Sequence, residues 1–129
     1  MYWGYIFIGG TMRIGFISQR DYFGNIIEKP AVIEEVLSMF DNAVFISGNS
    51  KGNEHLLEKA CKEQGREFIS INPDTTGFGF ELAFIERNRE ILKQCDMCIL
   101  VFDGTNKFGL SVIKEGIKLG KKIIVLPLI

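Results

Sequence analysis

The stretch that most constrains this 129-residue chain is Met97-Cys-Ile-Leu-Val-Phe102, six consecutive apolar residues that stop at Asp103-Gly104. A short run with no polar alternation does not suit a half-solvated sheet, so it predicts a strand buried on both faces. Strands of that kind belong to parallel sheets, whose neighbours are joined by helical crossovers. The rest of the chain supplies the parts. Ile14, Phe16 and Ile17 make a first strand, Val44-Phe45-Ile46 a second, Glu67 to Ile71 a short third and Lys122 to Leu126 a fifth. Pro30 suits the first turn of a helix whose core stripe is Val32, Ile33, Val36, Leu37 and Phe40, ended by Asp41-Asn42. In a second helix Asn53 is placed to cap, Leu57, Ala60, Cys61 and Gln64 share a stripe, and Gly65 terminates. A third runs from Phe80 to Cys95 through Leu82, Ile85 and Leu92, and a fourth from about Leu110 to Leu119, stopped by Gly120. Right-handed crossovers between these strands predict an α/β fold: a Rossmann-like three-layer sandwich with a five-stranded parallel sheet in the order 3-2-1-4-5.

Length and composition bound the function. An apolar content of 47% fits one compact domain, expected over residues 12–129. Residues 1–11, rich in Tyr, Trp and Ile, read as an apolar extension that precedes a second candidate start at Met12, pairs at a sheet edge or covers a partner. They lack a basic leader and are too short to span a bilayer, so neither a signal peptide nor a membrane anchor is expected. A net charge of -1 with scattered basic residues excludes the electrostatic footprint of a duplex nucleic-acid binder. Three cysteines without a disulfide framework suggest reduced thiols in the cytoplasm. A small apolar domain is expected to form a homo-oligomer.

With that strand order the winding reverses between strands 1 and 4, where ligands occupy the crevice. Three loops converge there: Ser18 to Asp21, Gly48 to Asn53, and Asp103 to Ser111. In the second, Gly48-Asn49-Ser50-Lys51-Gly52 joins a buried strand to a helix start with Glu54 in its first turn, which gathers free N–H groups suited to phosphate. The same turn is also what any strand-to-helix connection needs. It has no Gly-Lys-Ser/Thr ending, so it is not a P-loop, and Gly77-Phe78-Gly79 lacks the third glycine of a dinucleotide fingerprint.

Arg87-Asn88 offers a guanidinium for phosphate and a carboxamide for a base or ribose, or forms a surface ion pair with Glu86 or Glu90. Asp103 takes ribose hydroxyls or caps its loop, and Glu81 and Glu115 are candidate acids or solvated helix residues. Tyr22 and Phe78 are candidate stacking partners, and Phe80 is core or stacks on a base. The single histidine, His55, has no second ligand at metal spacing, so no metal is expected. Cys95-x-x-Cys98 has redox spacing, yet it closes a helix instead of opening one, which disfavours a reactive thiolate.

Phe16-Ile-Ser-Gln-Arg-Asp-Tyr22, Ile46-Ser-Gly-Asn-Ser-Lys-Gly-Asn-Glu54, Arg87-Asn88, Asp96-Met-Cys-Ile-Leu-Val-Phe-Asp-Gly104 and Gly120-Lys-Lys-Ile-Ile-Val125 together resemble the YspA-like branch of the SLOG superfamily, from about Met12 to Leu126. The resemblance implies a Rossmann-like domain that binds nucleotides or nucleotide-derived signals in bacterial stress, defence and phage conflict. Related enzymes, the LOG phosphoribohydrolases and the deoxyribosyltransferases, cleave N-glycosidic bonds. Carried over, the ligand-binding residues are Ser18, Gln19 and Arg20; Gly48, Lys51, Gly52 and Glu54, with Asn49 and Ser50 in the same loop; Arg87 and Asn88; and Asp103, Gly104 and Gly109, with Ser111 supplying a hydroxyl. The chain departs from the pattern at Gly109-Leu110, where the family has Gly-Thr, and at Ile113, where the enzymes place a glutamate. Glu115 lies elsewhere on the helix. N-glycoside cleavage needs a carboxylate beside the sugar, so a binding module that holds an ADP-ribose-like or cyclic nucleotide is expected ahead of a hydrolase using Glu54, Glu81 or Glu115. No cofactor is expected. A third reading is a protein interaction module that docks a partner through its N-terminus.

Overall fold

A computed structural model describes residues 11–19, 27–48, 50–74 and 79–128, the side chains of Phe80 and Glu81 excepted. Residues 1–10, Arg20, Asp21, Tyr22, Asn49 and Phe78, and the side chains of Phe80 and Glu81, lie outside the described residues.

The elements alternate as the apolar pattern requires: β1 (Arg13–Ser18), α1 (Pro30–Met39), β2 (Val44–Ser47), α2 (Asn53–Glu63), β3 (Phe68–Ser70), α3 (Phe80–Gln94), β4 (Met97–Phe102), α4 (Lys107–Lys118) and β5 (Lys122–Pro127). All strands are parallel and ordered β3-β2-β1-β4-β5, the predicted Rossmann-like arrangement. Every residue of β4 is buried, as its unbroken apolar run demands. Alternation then divides the core in two. Ile14, Phe16, Phe45, Met97, Ile99 and Val101 face α1 and α2, while Ile17, Ile46, Cys98, Leu100 and Phe102 face α3 and α4. Each fully buried aliphatic contributes roughly 1.5–3 kcal/mol. At Gly15 the helix α3 comes so close that an added methyl would lie 3.0 Å from Ile91 and 3.1 Å from the Cys95 sulfur.

The helix ends follow from the glycines. Gly65 and Gly120 take φ of 65° and 68°, and the N–H groups that follow reach back to the last turn: Arg66 to Cys61 at 2.8 Å, Lys121 to Gly116 at 2.9 Å. These are Schellman closures that satisfy carbonyls left over at each helix end. Arg66 adds a second closure, since its guanidinium donates to the Leu37 and Phe40 carbonyls at the end of α1 while lying over the Phe45 ring.

Several local expectations change. Helix α4 starts at Lys107, ahead of the expected Leu110, because Asn106 caps it through a bond from the Phe108 N–H at 2.8 Å. Asn53 does not cap α2; Gly52 does, at φ 101°, and Asn53 is the first helical residue. Gln64, expected in the buried stripe, is the exposed C-terminal cap of α2. Among the described side chains of α3 the buried ones are Ala83, Arg87, Asn88, Ile91 and Leu92, and Leu82, predicted to face the core, is 53% exposed. The strand β3 is shorter than Glu67 to Ile71, although the Glu67 carbonyl and Ile71 N–H still bond to β2.

Candidate functional site

The carboxyl ends of β1, β2 and β4 carry the loops in which the sequence places its candidate residues. Gln19 continues the pairing of β1 with β4, its N–H donating to the Val101 carbonyl at 2.9 Å. Its side chain then spans the reversal of the winding. Nε2 donates to Asp103 Oδ2 at 3.1 Å, and the Asp103 N–H donates back to Gln19 Oε1 at 3.0 Å. Asp103 Oδ1 accepts from the N–H groups of Thr105 and Asn106, which folds the turn at Gly104, φ 95°. Asp103 therefore has the loop-capping role, with one carboxylate oxygen toward Gln19 and the other toward its own turn.

Beside this pair lies a second network. Glu54 is 1% exposed and Arg87 5%. Arg87 Nη1 donates to Glu54 Oε1 at 2.7 Å and Nη2 to Glu54 Oε2 at 3.0 Å. The remaining donors go to Ser50 Oγ at 2.9 Å and to Asn88 Oδ1, at 3.1 Å from Nε and 2.7 Å from Nη2. All five N–H groups that a guanidinium possesses are thus engaged inside the protein. Glu54 also accepts the Ser18 N–H at 3.2 Å. Asn53 joins from the same turn, donating to Ser18 Oγ at 3.0 Å and accepting the Lys29 N–H at 2.6 Å. A bidentate carboxylate–guanidinium pair with every lone donor satisfied is the arrangement that makes a buried charge pair tolerable. Here it ties α2, α3 and the end of β1 together. Gly48 is the consequence: a methyl there would overlap Arg87 Nη1 and sit 3.0 Å from Glu54 Oε1.

The surface ion pair expected of Arg87 belongs instead to Arg89. Arg89 Nη1 bonds Glu86 Oε1 and its Nε bonds Glu115 Oε1, each at 2.7 Å. Helical geometry explains the exchange, since residues two apart on α3 project on opposite sides and only one can point at the sheet edge. Glu115 therefore faces α3, where Asn88, Ser111 and Phe108 share with it a hollow of about 20 Å³, room for about one water.

The structure brings Ser18, Gly48, Ser50, Glu54, Arg87 and Asn88 into one network and Gln19 and Asp103 into an adjoining one. Lys51 is exposed at the loop tip, and Gly52 is buried behind it. Gly109 is different: it lies in the first turn of α4, and a methyl there would overlap the Phe102 ring, so close packing accounts for it. Ser111 lies deeper in α4, and the Leu110 N–H already bonds the Asn106 carbonyl at 3.1 Å, which shortens the third loop to Asp103–Asn106. Sequence reasoning missed Asn53 as a cross-link and Ser47, whose buried Oγ donates to the Phe16 carbonyl at 2.5 Å. Both are short polar residues at element ends, where the only sequence signal is capping.

The three thiols are free and buried. Burial pushes the Cys61 thiol up against the opposing pull of Arg66. Cys98 is held well above the ordinary range by its hydrogen bond with Cys95 and by burial, and Cys95 is lowered by that same bond. Among the described residues no group of three His, Cys, Asp or Glu could hold a metal ion, and no helix is long and apolar enough to cross a membrane. No protein-family model and no curated protein matches this sequence.

Proposed function

We propose that the chain is a binding module that holds a nucleotide or nucleotide-derived molecule, of the ADP-ribose or cyclic nucleotide kind, in the crevice between the β1, β2 and β4 loops. Sensing or sequestration of such a signal in the cytoplasm, in bacterial defence or phage counter-defence, fits the SLOG-like residue pattern. The observation that carries the reading is the convergence of those loops at the point where the winding reverses, fixed from below by Glu54 and Arg87. In this reading Arg87 and Glu54 are positioning residues that preorganise the cradle. Lys51 and the N–H groups at the start of α2 meet phosphate, and the polar ends of Ser18 and Gln19 meet sugar or base. Binding is favoured over N-glycoside cleavage because Glu54 has both oxygens committed to Arg87 and Ser18, and Glu115 is held by Arg89.

Mass spectrometry of small molecules released from the denatured protein tests the reading, together with thermal shifts against AMP, NAD, ADP-ribose and cyclic dinucleotides. An intact nucleotide derivative that stabilises the fold, and binds about 10-fold more weakly to Lys51→Ala, supports it. Recovery of free base with a sugar phosphate indicates the hydrolase instead, and neither release nor shift removes the crevice as a ligand site.

A further inference from the structure

The three buried thiols are not alike. Cys61, on α2, is 0% exposed and has no second thiol in its half of the core. Cys95 and Cys98 share the other half, 1% and 0% exposed. Strand register brings these two together. Cys98 pairs with Gly15 across β4 and β1. Cys95, the C-terminal cap of α3, lies over that glycine, its Sγ 3.1 Å from where a Gly15 methyl would stand. Because the glycine has no side chain, the two sulfurs meet above it and hydrogen-bond to each other. Their other bonds are long: the Cys95 thiol donates to the Leu92 carbonyl at 3.5 Å and the Cys98 thiol to the Ile99 carbonyl at 3.6 Å.

The surroundings divide the roles. A helix C-terminus opposes a thiolate, and Lys121 offsets that end of the dipole, its Nζ donating to the Cys95 carbonyl at 2.8 Å. The bond from Cys98 lowers the Cys95 thiol against the effect of burial, and the Lys121 charge lowers it further. Cys98 is raised by the same bond and by burial. A lowered thiol beside a raised one is the division between an attacking cysteine and one that closes the disulfide.

We propose that Cys95 and Cys98 form a dithiol that a hydroperoxide oxidises to an intramolecular disulfide. Both sulfurs are covered, so the reaction follows opening of the last turn of α3, next to the exposed Asp96. The Cys95 thiolate attacks the O–O bond, an S–O bond forms, and the departing oxygen takes up the proton that Cys95 gave up. The Cys98 sulfur then attacks the Cys95 sulfenic acid. The S–S bond forms, the S–O bond breaks, and hydroxide leaves with the Cys98 proton as water. The two thiols supply both electrons, and a dithiol reductant returns them.

Alkylation mapping of the full chain tests this. Trypsin cuts after Lys93 and Lys107, so both cysteines fall in one peptide, 94–107. After hydrogen peroxide and an acid quench, that peptide should escape alkylation in denaturant and be lighter by two hydrogens, while Cys61 still alkylates. Dithiothreitol should restore both thiols. The pair should react at least about 10-fold faster than Cys61, whose raised thiol has no partner sulfur. Cys98→Ser should leave Cys95 as a sulfenic acid that a dimedone probe traps. Three thiols still alkylated, Cys61 consumed as fast as the pair, or a disulfide linking two chains each overturns the proposal, and the parent chain alone decides these. An untouched Cys95 in folded Cys98→Ser overturns it as well.

Discussion

Arg87 and Arg89 share a helix and a side-chain type, yet the side chain of one is 3% exposed against Glu54 and that of the other 36% exposed between Glu86 and Glu115. Their ion-pair distances are equal, 2.7 Å in each case, so proximity does not distinguish them. Surroundings do. The buried pair has traded water for a closed set of protein partners, and losing either member strands a charge in low dielectric. The exposed pair exchanges freely with water and salt, so its loss leaves nothing unsatisfied. A sequence shows two arginines; the fold makes one a keystone of the junction between β1, α2 and α3 and the other a solvated clip between α3 and α4.

The sharpest way to break the contrast is to remove one buried partner. Glu54→Ala should cost roughly 3–5 kcal/mol in urea unfolding, because Arg87 keeps its charge without a counterion. Replacing the pair together by Leu and Met should recover most of that loss while loosening the β1–α2 junction. Gly48→Ala comes next, at roughly 1–3 kcal/mol, since the new methyl collides with Arg87. The same substitution in an Arg87→Ala background should cost much less, and an undiminished cost would mean that the glycine serves its own backbone. Arg89→Ala should leave the urea midpoint unchanged within error at physiological salt. A clear fall there would erase the distinction between the two arginines.

Burial acts on thiols by the same rule. Cys61 and Cys98 are raised above their ordinary value of 9.0. The unfolded chain then binds fewer protons than the folded one once pH passes that value, so their contribution is full below it and is lost as pH rises. Cys61→Ala should flatten the alkaline decline in stability, the smallest of these effects. A slope identical to that of the parent chain would assign the decline to other groups.

Much of the fold was legible because apolar runs and helical stripes are local signals. Met97 to Phe102 marked β4, and Gly65 and Gly120 marked two helix ends by their need for positive φ. The site was legible as a set of loops and not as a set of roles. Glu54 looks like an acid placed for the helix dipole, and Arg87 like a solvated residue, because their pairing spans 33 positions and leaves no periodic trace. That hidden pair also explains the misplaced face of α3: counting Arg87 and Asn88 as polar and outward turns Leu82 inward, whereas the ion pair rotates the helix the other way. The start of α4 moved for a smaller reason, a single capping side chain at Asn106.

The most direct test of the keystone is a double-mutant cycle in urea on Glu54→Ala, Arg87→Ala and the two combined. A buried, fully satisfied pair predicts strong non-additivity, a coupling of about 2 kcal/mol or more. Additive losses within about 0.5 kcal/mol would contradict it and return Arg87 to the ordinary charges of α3.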